Sequence, residues 1–113
     1  MVRKAGRARR LTVDGDSFFW SVGHDHQALG NGRYQDCRDT LSLRLARANG
    51  RLLITFPETS GTPPNLNRPG TARALLDEAR AQGWQPARDP SRELDGWSLL
   101  EAAATRRTAA PNS

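Results

Sequence analysis

Leu41-Ser42-Leu43-Arg44-Leu45-Ala46-Arg47-Ala48-Asn49-Gly50-Arg51-Leu52-Leu53-Ile54-Thr55-Phe56 is the stretch that decides the fold class. Leu41, Leu43 and Leu45 alternate with Ser42, Arg44 and Ala46, and Leu52, Ile54 and Phe56 alternate on the return. Successive side chains of a strand point to opposite faces, so each run reads as a strand with one apolar face. Asn49-Gly50 tolerates the positive φ angles of a two-residue hairpin turn. With that pair as the loop, Leu45 lies opposite Ile54 and Leu43 opposite Phe56. A slip of one residue would set leucines against Thr55 and Leu53, on the wrong face.

Working outward toward the N-terminus, the same signal recurs. Leu11 and Val13 alternate with polar residues, Asp14-Gly15-Asp16 interrupts, and Phe18, Trp20 and Val22 alternate again. With Asp14-Gly15 as the loop Leu11 faces Phe18; with Gly15-Asp16 it faces Trp20. Both registers keep the apolar residues on one side. Between the two hairpins, residues 23–39 hold both histidines and the cysteine and are too polar for a core, with Gly30-Asn31-Gly32 as a turn at the tip.

Toward the C-terminus, residues 58–68 are irregular and stiffened by Pro63-Pro64. Pro69 then opens a helix, where its missing N–H costs nothing. Ala72, Leu75, Leu76 and Ala79 form one buried stripe. Gly83 fits the left-handed position after the helix, Trp84 folds back on the last turn, and Pro86 prevents resumption. Trp97-Ser98-Leu99 alternates as a short fifth strand. The expected fold is α+β: a four-stranded antiparallel meander with one helix on its apolar face, in the order ββββαβ. Residues 1–10 are expected to be a basic disordered arm, 11–101 a single domain, and 102–113 a disordered tail.

Asp14-Gly15 followed by Phe19-Trp20, the Asn49-Gly50 hairpin, Pro69-x-x-x-Arg73 and Gly83-Trp84-x-Pro86 together resemble a group of small uncharacterised bacterial α+β proteins. The likeness spans about Leu11 to Leu99. It implies the α+β fold and carries no activity to transfer.

The net charge of +5 belongs to the ends of the chain. Arg3, Lys4, Arg7, Arg9 and Arg10 lie in the first ten residues, and Arg106 and Arg107 in the last eight. Without those seven, ten basic residues stand against all 12 acidic ones, so the body carries −2. Composition therefore points to no broad phosphate-binding face. With 16 arginines and one lysine, the chain fits the codon bias of a GC-rich bacterial genome. A lone Cys37 excludes an intrachain disulfide. No apolar run follows the leading charges, so a cleaved signal is not expected and a cytoplasmic location is.

His24, His26 and Cys37, with Asp36 and Asp39 nearby, are the one cluster with metal-ligand chemistry. Two imidazoles, a thiolate and a carboxylate suit tetrahedral zinc, but Cys37 lacks the partner cysteine of the paired zinc signatures. A solvated loop is the simpler reading, and no cofactor is expected. No Gly-x-Ser-x-Gly elbow and no phosphate-cradling Gly-rich loop with its lysine is present, so no catalytic residue is assigned. Asp77 stands four residues after Arg73, the spacing of a surface ion pair. Phe19 points opposite to Phe18 and Trp20. Its side of the sheet would also carry Arg10, Arg44 and Arg51, as a platform for stacked bases would.

Three functions remain. The first is a non-catalytic protein-interaction or regulatory module of a bacterial cytoplasmic complex, drawn from the neutral body and the edge strands. The second is nucleic-acid binding driven by the arm, through Arg3, Lys4, Arg7, Arg9 and Arg10, with Phe19 and Arg44. The third is a metal-binding or enzymatic loop around His24, His26 and Cys37. No membrane partner is expected.

Overall fold

The computed structural model describes residues 2–5, 8–30, 33–57 and 64–109, with side chains over 8–24, 30, 37–57 and 64–106. Among these, six strands and two helices follow the chain: β1 (Val2–Ala5), β2 (Arg9–Val13), β3 (Asp16–Gly30), β4 (Arg33–Leu45), β5 (Leu52–Pro57), α1 (Pro69–Ala81), β6 (Arg92–Asp95) and α2 (Gly96–Ala109). They form an α+β fold with one mixed sheet. From Arg9 to Asp95 the order is the expected ββββαβ; β1 and α2 are additional.

Asp14-Gly15 is the loop of the first hairpin. Asp14 (φ 50°) and Gly15 (φ 86°) both take the left-handed region, and Leu11 faces Phe18. The hairpin formed by β3 and β4 is far longer than its apolar part. Its ladder runs from Phe18↔Leu45 to Gly30↔Arg33, with bulges between Asp25 and Gln27 and between Ala28 and Gly30. The polar stretch expected as a loop between hairpins is thus paired strand up to Gly30 and again from Arg33, and the expected tip at Asn31-Gly32 lies outside the described residues. Polar sequence is compatible with a strand wherever the ladder satisfies the backbone and no face needs burial.

The second hairpin keeps its faces but not its register. Leu43 pairs with Leu52 and Leu41 with Ile54, in place of the expected pairs Leu43–Phe56 and Leu45–Ile54. The chain leaves β4 through a turn in which the Ala48 N–H donates to the Leu45 carbonyl at 3.0 Å and Arg47 takes φ 70°. Gly50 is not the turn residue. Its Cα packs on the Asp89–Pro90 backbone so closely that a Cβ would collide with the Asp89 carbonyl. The displacement spans an even number of residues, so the apolar faces still meet.

β1 corrects the expected disordered arm. Val2–Ala5 pairs antiparallel with residues 23–26 of β3, beyond the stretch covered by β2. The length of β3 creates this partner: past Trp20 its edge would otherwise expose unpaired N–H and C=O groups. A fifth strand does exist, but at Arg92–Asp95, parallel to β5 across the α1 crossover. Trp97-Ser98-Leu99, expected as that strand, opens α2 instead. Asp95 caps this helix, its Oδ2 accepting from the Ser98 N–H at 2.9 Å and from Ser98 Oγ at 2.8 Å. The segment from 102 to 109, expected in the disordered tail, is helical. Asp95 before Ser98 and the run Leu99 to Ala104 are the capping and propensity signals that mark it.

Phe18, Trp20, Leu41, Leu43, Leu52, Ile54 and Phe56 from the sheet meet Leu75, Leu76, Ala79 and Leu99 from the helices in one core. α1 ends as its sequence implies: the Trp84 N–H donates to the Ala79 carbonyl and the Gly83 N–H to that of Arg80, with Gly83 at φ 108°. Among the described residues, no helix is long and apolar enough to cross a membrane.

Candidate nucleic-acid interface

Alternation on β3 gives the sheet two chemically different faces. Phe18 and Trp20 enter the core, so Phe19 stands on the opposite face. The ladders set Arg10 of β2 directly opposite Phe19, and Phe19 directly opposite Arg44 of β4. The Arg10 guanidinium lies 5.8 Å from the Phe19 ring centroid and that of Arg44 lies 5.3 Å from it. Both are within cation–π range. Phe19 and Arg44 are half-buried and Arg10 is exposed. Three adjacent strands therefore present a cation, an aromatic ring and a second cation in one row.

Arg9 and Arg10 are separated by the same alternation. Arg9 lies on the core side, its guanidinium 5.0 Å from the Trp20 ring centroid, and its Nη1 donates to the Asn67 carbonyl at 2.8 Å. It covers the buried indole and holds the 64–68 segment, so it does not join the Phe19 row. Arg51 precedes β5, is exposed, and its N–H donates to Ser91 Oγ at the β6 side of the sheet. Arg3 and Lys4 lie in β1, paired with Asp25 and His24 of β3, with their side chains outside the described residues; Arg7 lies outside them altogether. Arg9 and Arg10, the leading cations whose side chains are described, are thus set on opposite faces by strand pairing.

The histidine–cysteine cluster is brought together only in part. His24 and Asp39 are direct cross-strand partners, with Nδ1 and Oδ1 2.7 Å apart. Cys37 is half-buried two residues along β4. The side chains of His26 and Asp36 lie outside the described residues. Among the described residues, no group of three His, Cys, Asp or Glu is arranged to hold a metal ion.

Among the described residues, the most buried charged group is elsewhere. Glu78 of α1 is buried and receives Arg106 Nε at 2.8 Å and Gln82 Nε2 at 2.8 Å. The Arg106 hydrogen bond holds the Glu78 carboxyl below the usual carboxylate range against the opposing effect of burial. This contact joins the two helices. An open depression of about 600 Å³ lined by Pro64, Arg68, Pro69, Thr71, Ala74 and Leu100 lies at the start of α1.

No family model, no curated protein and no solved structure matches this chain.

Proposed function

We propose that the protein binds single-stranded nucleic acid on the sheet face opposite the helices, with Phe19 as the stacking platform and Arg10 and Arg44 as its cationic flanks. The observation that carries this reading is the row Arg10–Phe19–Arg44, in register across β2, β3 and β4. Aromatic rings and guanidinium planes on a sheet face stack unpaired bases, while the same guanidinium charges attract phosphate. A duplex keeps its base faces stacked on one another, so the row favours single strands. The binding surface is the sheet, not a loose arm as composition suggested.

The test is titration of a labelled single-stranded oligonucleotide followed by fluorescence anisotropy. Phe19→Ala weakens binding, as does Arg10→Ala with Arg44→Ala, and affinity falls with added salt. Equal binding by the wild type and Phe19→Ala would refute the reading.

A second reading, a protein-interaction module, draws on β6. This four-residue strand pairs with β5, and Arg92 and Glu93 on it are exposed, the setting for strand addition by a partner. Glu93→Pro would remove a backbone donor there and abolish such an interaction.

A further inference from the structure

We infer that the bound strand crosses the sheet from β2 to β5, with Arg51 as a third cation beyond the Arg10–Phe19–Arg44 row. The inference rests on the single-strand reading and adds the direction, the footprint and a further contact residue.

Arg51 joins the row through register. The β4–β5 ladder ends at Leu43↔Leu52, and Arg44 and Arg51 are the next residues out from that pair. Leu52 is buried in the core, so alternation turns the exposed Arg51 side chain to the Phe19 face. Its backbone is tied to the β6 side of the sheet. The Arg92 N–H donates to the Arg51 carbonyl at 2.9 Å, and the Arg51 N–H to Ser91 Oγ at 3.1 Å. Arg10, Phe19, Arg44 and Arg51 therefore follow one another across β2, β3, β4 and the entry to β5.

Charge along the row is unbalanced. Among the described residues, Arg10, Arg44 and Arg51 take part in no ion pair. Like charges on neighbouring strands repel, and a polyanion laid over them removes that cost. The next rung on this face, Ser21–Ser42–Leu53–Glu93, holds no cation and ends in a carboxylate. Beyond it the paired Thr40 and Thr55 are buried, and they separate Arg38 from the row. Among the described residues, accessible cationic surface at this end of the sheet is one rung wide. A strand that follows it runs across the sheet, not along β3.

The footprint follows from the strand spacing. Three inter-strand steps of ~4.8 Å separate Arg10 from Arg51, about 14 Å in all. At the ~3.4 Å rise of a stacked single strand this spans about four nucleotides, and fewer when the strand is extended.

The experiment titrates the full chain with a dinucleotide, a tetranucleotide and an octanucleotide of thymidine at several salt concentrations. Affinity should rise steeply from the dinucleotide to the tetranucleotide and little beyond it. Arg51→Ala should weaken tetranucleotide binding about fivefold and lower its salt slope by about 0.7 for one lost phosphate contact. Arg51→Lys should restore most of the loss, and Arg38→Ala, which removes a cation from the same face off the row, should leave tetranucleotide binding unchanged. Phe19-dependent binding that is equal in wild type and Arg51→Ala would overturn the crossing track while leaving the single-strand reading standing. So would a loss on Arg38→Ala as large as that on Arg51→Ala. Absence of any Phe19-dependent binding at every length would refute both.

Discussion

Arg106 Nε donates to Glu78 Oε1 at 2.8 Å, so a residue near the end of α2 neutralises the buried carboxylate of α1. The Glu78 side chain is 2% exposed and that of Arg106 60% exposed. A buried charge without its partner is costly, and an exposed one is not. Arg106→Ala should therefore lower the urea midpoint clearly more than Arg73→Ala, which breaks only the exposed Arg73–Asp77 pair, worth about 0.3–0.5 kcal/mol. Equal midpoints for the two variants would show that α2 is not held this way.

The same carboxylate sets an acid limit. Glu78 is held low by Arg106, and Asp95 is held low by the Ser98 side chain and N–H. The unfolded chain then takes up these protons at higher pH than the folded one. Their contribution to stability is complete above the ordinary carboxylate range of about 4, and is lost as pH falls below it. Urea midpoints measured from neutral pH downward should drop through that window. Glu78→Gln should start lower and fall less steeply.

Adjacent arginines should separate function from stability. Arg9→Ala removes the cover over Trp20 and the Asn67 hydrogen bond, and should cost about 1–2 kcal/mol of stability with oligonucleotide affinity unchanged. Arg10→Ala should show the reverse, weakening binding with little effect on the urea midpoint. Thermal melts and anisotropy on the same two proteins decide this.

Phe19→Ala should reduce single-strand affinity by about 1–3 kcal/mol, the range for one lost base–aromatic stack. Its cost in stability should be smaller than that of Phe18→Ala, which empties a site at 1% exposure and should cost about 3–5 kcal/mol.

Two glycines should tolerate alanine very differently. A Cβ on Gly96 would lie 2.5 Å from Phe56 Cε1 inside the core, so Gly96→Ala should cost about 1–3 kcal/mol. Gly70, in the first turn of α1 with open space around its Cα, should accept alanine with a gain of about 0.4–1 kcal/mol. Denaturation of both variants is the check.

Much of the body was legible because its signals are local. The Asp14-Gly15 turn, the Pro69 start and the Gly83-Trp84 end of α1 depend on the φ preferences of single residues and on one periodic stripe. The Arg10–Phe19–Arg44 row was visible in outline, since alternation alone puts Phe19 opposite to Phe18. Two misreadings share another cause. Asn49-Gly50 carries the strongest hairpin-turn signature, yet Gly50 is needed for the approach of Asp89, a residue distant in sequence. Arg92–Asp95 has Leu94 as its sole apolar residue, so no periodicity announces a strand whose place is set by β5.

By itself, then, the amino-acid order determined which residues face inward, because side-chain alternation and helical spacing follow from backbone geometry within a few residues. Only the folded molecule decided which cations stand together. Pairing β2 along β3 sets Arg9 over Trp20 on the core side and Arg10 beside Phe19 on the other, and α2 carries Arg106 to Glu78. Those are consequences of register and of packing between distant segments, where the energy of a contact depends on a partner that no local pattern names.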